Sequence, residues 1–367
     1  MLVHICCSVD SHFFLEKLQK DYPDEKLTGF FYDPNIHPYS EYQLRLLDVQ
    51  RSCKNLGIDL LEGEYDYEAW LEAVKGLETE PEKGARCEVC FDKRFEVSAN
   101  KTLELGEKSF TTTLLVSPLK SQEQLKKSGE MFESKHGVKF IAVDYRSNGG
   151  TQTQSEVTKE QQLYRQDYCG CIYGLTMQRE QQNRLMDEMF SPISNTILPA
   201  SIEERLKFYQ YRMDLEDLGT NYKIIKQKFL NYRQLSSRLI KGKKWVVPSY
   251  VLFYSTLAKK KASAKFEFLH NNINYLNRDE IKIIKLNTFN KTAKTNYKNI
   301  YELIYNPPIY QKEIAIRKSL LNGSADQIID LSPIIVIEDE EDIRNTKLTL
   351  ELDAHAYEDT KERLILC

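Results

Sequence analysis

The first half of this chain alternates short apolar runs with amphipathic stretches, and that alternation restricts its fold more than any other feature. Leu2–Cys6, Leu27–Tyr32, Ile58–Glu62, Ser109–Thr113 and Lys139–Asp144 read as strands. Ser11–Lys20, Ser40–Leu56, Tyr67–Val74, Cys90–Leu105 and Ser121–Lys135 read as helices between them, and Ser155–Gln166 follows as a sixth. Ser40 stands where a cap is expected, and Gly57, Gly106 and Gly137 stop three of the helices. The pattern predicts an α/β fold over residues 1–175, a doubly wound parallel sheet with helices on both faces. In such sheets ligands collect outside the carboxyl ends of the strands.

Six of the eight cysteines fall in three tight pairs within that half: Cys6-Cys7, Cys87-Glu88-Val89-Cys90 and Cys169-Gly170-Cys171. The start, Met1-Leu-Val-His-Ile-Cys-Cys, reads as a strand and has no basic n-region, which places the chain in the cytoplasm. No apolar run approaches the roughly 20 residues a membrane helix needs. A net charge of -3 with 41% hydrophobic and 29% charged residues is the balance of a soluble protein. Closely spaced thiols in a reducing compartment point to metal or redox chemistry rather than disulfides. Six thiolates exceed the four ligands of one structural zinc or one simple iron–sulfur cluster, so two centres, or a cluster beside a reactive pair, are expected. Cys-x-x-Cys entering a helix lets two sulfurs face one metal, and Gly170 permits the sharp fold-back of Cys-Gly-Cys. Adjacent Cys6 and Cys7 suit two neighbouring centres better than one. Asp10, one turn on, is either an oxygen ligand to iron or the cap of the helix from Ser11. Cys53 reads as a small buried apolar residue and Cys367 as irrelevant. His4 reads as core and His37 as a turn residue facing the ligand edge. Arg86 and Arg165 flank cysteine pairs, either binding phosphate or forming surface ion pairs.

At about 150 residues per domain, 367 residues hold two. Residues 176–200 read as a connector, and 201–367 as a smaller extension, helical and then α+β. Ser201 and Glu204 form a capping-box pattern for a helix to about Leu218, and a second helix is expected over Tyr222–Leu239. Short strands follow from Trp245, and Glu338–Asp342 reads as a solvated acidic loop. Between Lys223 and Lys265 lie twelve Lys or Arg and no Asp or Glu, interleaved with Phe229, Tyr232, Trp245, Tyr250, Phe253 and Tyr254. That mixture suits RNA, or else a basic surface over buried rings.

Several strings are similar to those of one family. His4-Ile-Cys-Cys, Phe31-Tyr-Asp-Pro-Asn-Ile-His-Pro, Glu41-Tyr, Arg86-Cys-Glu-Val-Cys-Phe, Thr111-Thr-Thr-Leu-Leu-Val-Ser-Pro and Tyr164-Arg-Gln-Asp-Tyr-Cys-Gly-Cys-Ile-Tyr resemble epoxyqueuosine reductase of the QueH type, in order and spacing, over about residues 1–175. The resemblance implies a nucleotide hydrolase-like, PP-loop-like fold and reduction of epoxyqueuosine to queuosine at the tRNA wobble position. It implies a 4Fe–4S cluster with an additional mononuclear iron, tRNA carrying epoxyqueuosine as partner, and a ferredoxin or flavodoxin as electron donor. On that basis Cys7, Cys87, Cys90 and Cys169 are assigned to the cluster, and Cys6, Asp10 and Cys171 to the extra iron and catalysis. Many members read Cys-Cys-Ala-Pro-Cys where this chain ends in Asp10. Tyr32, Asp33, Tyr164 and Tyr168 are candidates for proton supply or base stacking, with packing as the other role of each. A zinc-binding protein and a sulfur-transfer tRNA-modifying enzyme on the same fold are the alternatives. The second requires a phosphate-binding Ser-Gly-Gly turn, which the loop Cys6-Cys-Ser-Val-Asp-Ser lacks.

Overall fold

A computed structural model describes every residue except 119, 191, 195, 244 and 322–329. Its first unit comprises residues 1–189 and 205–221. In chain order it contains β1 (Leu2–Ile5), α1 (Ser8–Asp21), β2 (Thr28–Phe31), α2 (Tyr39–Leu56), β3 (Asp59–Glu62), α3 (Tyr67–Ala73), α4 (Ala85–Glu104), β4 (Ser109–Thr112), α5 (Gln122–His136), β5 (Lys139–Phe140), α6 (Gly150–Glu160) and α7 (Ile172–Gln181), with α8 (Ile202–Asp217) contributing all but its first residues. The five strands pair in parallel in the order β3-β2-β1-β4-β5. β1 is buried along its whole length, as a strand covered by helices on both faces must be. Phe14, Phe30, Phe31, Phe95 and Phe110 pack the core around it. Chain order reverses between β1 and β4, so the crevice beyond their carboxyl ends is the switch point where doubly wound sheets bind ligands.

Several boundaries differ from the sequence reading. Pro38, not Ser40, occupies the cap position of α2, and Ser40 lies in its first turn. α4 starts at Ala85, so Arg86 and Cys87 sit in its first turn rather than in a loop. α6 covers Gly150–Glu160 instead of Ser155–Gln166. It is closed by Gln162, left-handed at φ 49°, with Leu163 N bonded to Thr158 O at 3.0 Å. A helix stop on glutamine leaves no glycine to read.

The second unit comprises residues 190–204 and 222–367. α7 occupies the first part of the 176–200 stretch. Ser201 does cap α8, accepting from Glu204 N at 3.2 Å while Glu204 accepts from Ala200 N at 2.6 Å. The remaining elements are β6 (Tyr222–Lys241), β7 (Trp245–Val247), β8 (Ser249–Val251), β9 (Lys261–Ala264), β10 (Phe266–His270), β11 (Ile273–Leu276), β12 (Lys282–Lys285), α9 (Leu286–Ala293), α10 (Ile300–Tyr305), α11 (Tyr310–Leu320), β13 (Ile334–Ile337) and β14 (Leu348–Leu366). They form two sheets, ordered β10-β11-β12-β13-β8 and β7-β6-β14-β9.

The helix expected over Tyr222–Leu239 is instead β6, paired antiparallel with β14 from Tyr222↔Leu366 to Lys241↔Leu348. A partner more than a hundred residues away decides its state, overriding a pattern that carries helical spacing. At least five of the twelve basic residues in the run have carboxylate partners inside this unit. Lys228 pairs with Glu358, Arg238 with Glu351, Lys241 with Glu341, Lys260 with Asp353 and Lys261 with Glu351. Tyr232, Phe253 and Tyr254 are buried together, whereas Trp245 is exposed. Nor is the acidic run purely solvated: Glu341 holds Lys241, and Glu338 accepts from Ile300 N at 2.7 Å.

Candidate metal centre

Each cysteine pair is delivered by the start of a helix. Cys7 occupies the N-cap position of α1 and Cys171 that of α7, while Cys87 lies in the first turn of α4. Unpaired N–H groups and the positive end of the helix dipole favour thiolate at such positions. Cys6 and Cys7 leave β1 at its carboxyl end, and Cys6 Sγ lies 3.8 Å from Thr113 Oγ1, just past β4, which puts the pair in the switch-point crevice. A cavity of about 140 Å³ there is lined by Cys6, Cys87, Cys90, Cys169 and Cys171 together with Asp10. Cys7 is not among the lining residues, but its Sγ lies 3.8 Å from that of Cys6. All seven residues singled out from the sequence thus come to one place. All eight cysteines are free thiols.

Of the two roles expected for Asp10, the helix cap is not the one the structure shows, since Cys7 holds that position. Asp10 is the third residue of α1 and caps nothing. Its Oδ2 lies 3.8 Å from Cys6 Sγ and its Oδ1 accepts from Gln154 Nε2 at 2.8 Å. The ligand atoms of Cys6, Cys7 and Asp10 all lie within 4.8 Å of one another. Three anionic donors that close repel unless protons or a cation lie between them. Accordingly the Cys6 thiol is pushed well up by its hydrogen bond to Cys7 and by burial, and burial raises Asp10. Burial also raises Cys87. Cys169 is driven well down by the hydrogen bond from Cys171, with Lys120 assisting, and Cys171 is raised in return.

Cations not singled out from the sequence complete the wall: Arg45, Arg94 and Lys120 all line the cavity. Burial opposes the charge on Arg94, but Cys90, Asp33, Cys6 and Cys169 keep it protonated. Lys120 is opposed by burial too and raised by Cys169, Cys87 and Glu82. Arg94 stands four residues past Cys90 on α4, a same-face spacing that was available in the sequence; nothing local marks Lys120. Soft, closely gathered thiols with buried cations beside them fit an anionic iron–sulfur group.

Most of the other candidates have partners of their own, and two of them, Arg86 and Tyr168, also line the cavity. His4 bridges Thr112 Oγ1 at 2.9 Å and Tyr32 O at 3.0 Å, and burial lowers its pKa to about 3, a core histidine. His37 gives its N–H to Gly170 O at 2.9 Å and stacks on Tyr67. Arg86 donates to the carbonyls of Leu77, Glu78 and Glu80, so it shapes the approach to α4. Tyr32 bonds Asp66, Tyr164 bonds Glu41 and Tyr168 bonds His37 O. Asp33 is fully buried beside Arg94 at 3.0 Å, and burial raises its pKa to about 6. Cys53 is buried, which raises its thiol to about 12, and Cys367 is exposed. No helix among the described residues is long and apolar enough to cross a membrane.

Fold and site together define a doubly wound α/β protein with a thiol-rich centre at its switch point. The family model of epoxyqueuosine reductase QueH matches residues 1–177. An epoxyqueuosine reductase QueH of Helicobacter pylori is 41% identical over 92% of this chain and 94% of its own length, an alignment that runs through the second unit as well. This chain belongs to the epoxyqueuosine reductase QueH family. The Thermotoga maritima QueH is 36% identical over 49% of this chain and 92% of its own length. Among solved structures, the U34-tRNA thiolase NcsA of Methanococcus maripaludis aligns over 58% of this chain and 73% of its own at 13% identity and a TM-score of 0.32, too slight a likeness to argue from.

Proposed function

We propose that this chain is an oxidoreductase of tRNA queuosine biosynthesis that converts epoxyqueuosine to queuosine at the wobble position. The reaction takes two electrons and two protons, opens both C–O bonds of the epoxide and yields an alkene and water. Cys7, Cys87, Cys90 and Cys169 would hold a 4Fe–4S cluster, and Cys6, Asp10 and Cys171 an additional iron. When bound, these groups supply single electrons and a Lewis-acid site for the epoxide oxygen. The chain's part is to gather and charge-balance them. Arg45, Arg94 and Lys120 offset the buried thiolates, while Trp70, Phe91 and Leu114 give the cavity an apolar side that limits water. A reduced ferredoxin or flavodoxin in the cytoplasm is the proposed donor.

One observation carries this reading: donors 165 positions apart, from Cys6 to Cys171, line a single crevice at the sheet's switch point. The test is anaerobic reconstitution with iron and sulfide, followed by incubation with reductant and epoxyqueuosine tRNA and nucleoside analysis. Roughly five irons per chain with sulfide, and queuosine as product, are expected. One zinc without sulfide would select the zinc reading, and unchanged epoxide beside an intact cluster would end the assignment.

A further inference from the structure

The segment that carries Cys169 and Cys171 into the site has little regular structure of its own. After α6 ends at Glu160, residues 161–171 run as turns and irregular backbone until α7 begins. Its buried backbone groups need partners from elsewhere. Those partners are a connected set of buried and half-buried side chains, part of which stands on α8, beyond the 177 residues matched by the family model.

Arg212 on α8 is 1% exposed. Its Nη1 donates to Gln162 O at 2.5 Å and its Nη2 to Gln161 O at 3.1 Å. The same guanidinium meets Glu216 through Nε at 3.2 Å. Glu216 accepts from Arg51 Nε at 3.0 and 2.8 Å, and Arg51 lies 3.8 Å from Asp48 on α2. Buried Asp48 accepts from Tyr164 N at 2.7 Å and from Ser8 Oγ, and Ser8 directly follows Cys7. A second arm starts at the Tyr164 ring, which packs edge-on against Tyr209 of α8 with ring centres 5.5 Å apart. Tyr164 Oη donates to Glu41 at 2.9 Å, Glu41 holds Arg45 at 2.7 Å, and Arg45 donates to Tyr168 O at 3.0 Å and Cys169 O at 3.3 Å.

We propose that Arg212, Glu216 and Tyr209 of α8 are positioning residues for the metal centre, holding the Cys169–Cys171 turn in register with Cys7 through Asp48 and Tyr164. This rests on the seven-residue set being the metal centre. The reason for such a strut is physical. A cluster ligand must be held to within a few tenths of an ångström, and an irregular segment achieves that only when outer side chains fix its carbonyls and amides. A planar guanidinium that grips two successive carbonyls and a carboxylate does this more fully than a lysine, which keeps the charge but not the fork.

The test uses the full chain with Arg212→Ala, Arg212→Lys and Glu216→Gln. In metal-free protein, backbone hydrogen exchange at Tyr164 and across residues 163–171 is compared with exchange in β1 and β4. In anaerobically reconstituted protein, iron release to a chelator and the cluster's electron paramagnetic resonance spectrum are followed. Arg212→Ala is expected to speed exchange in 163–171 while leaving the strands unchanged, to hasten iron release roughly 10-fold, and to alter the spectrum. Arg212→Lys should recover part of each effect. Glu216→Gln keeps the shape of the side chain and should give a smaller increase in the same segment, which answers the question if Arg212→Ala does not fold. Exchange that rises uniformly through the unit, or does not rise in 163–171, overturns the proposal. If the unsubstituted chain takes up no iron and sulfide, the metal-centre reading fails on that result, and the exchange data still decide whether α8 braces the turn.

Discussion

Gly170 shows how narrowly single positions set this site. Its φ is +102°, and a Cβ there would lie 2.8 Å from Ile36 Cγ1 and 3.2 Å from Arg45 Nη1. Gly170→Ala therefore meets both a backbone conformation that L-residues avoid and a crowded wall, a strain of about 1–3 kcal/mol. The expected outcome is a chain that stays folded by circular dichroism but takes up clearly less iron and sulfide than the unsubstituted protein under matched reconstitution. Uptake equal to wild type would show that the turn tolerates displacement. This requirement was legible in the sequence, because Cys-Gly-Cys admits few conformations. The gathering of three cysteine pairs was legible for a similar reason: each stands where a strand or turn gives way to a helix. Lys120 and Arg45 were not legible. They reach the cavity by the course of the chain around it, and their immediate neighbours in sequence carry no pattern that says so.

Among the elements, α5 and β5 approach each other at a glycine. A Cβ on Gly129 would fall 2.2–2.5 Å from ring carbons of Phe140. In an open helix, replacing glycine by alanine stabilises by roughly 0.5–1 kcal/mol. Here the sign reverses, and Gly129→Ala should cost about 1–3 kcal/mol, read as a lower denaturant midpoint with an unchanged slope. The parallel sheet was readable from sequence because short, largely buried β-prone runs alternate with helical stretches. β5 shrinks to two residues and α6 ends early, since strand ends and glutamine stops leave weak marks. β6 was misread for a deeper reason. Its 20 residues contain neither glycine nor proline, and their pairing is settled by β14, which no local window contains.

At the scale of the whole molecule, a buried carboxyl couples the second unit to pH. Glu313 in the second unit is buried, with Tyr250 Oη donating to one oxygen at 2.6 Å and Phe253 N to the other at 3.0 Å. Burial raises its pKa to about 7. Folding thus binds a proton between the unfolded value near 4.3 and about 7, so the unit's stability should fall as pH rises through that window and level off above it. The size is on the order of 4 kcal/mol at most. Glu313→Gln should flatten that slope in a series of thermal melts from pH 4.5 to 7.5; a slope as steep as the parent's would refute the assignment. The β6–β14 pairing has a consequence for the timing of synthesis. Every residue of the first unit has been made once residue 221 is added, whereas β6 follows at once and its partner runs from Leu348 to Leu366. During translation β6 must wait for that partner with a bare edge. Nascent chains stalled between the two strands should therefore carry every residue of the first unit and a sticky, unfinished tail.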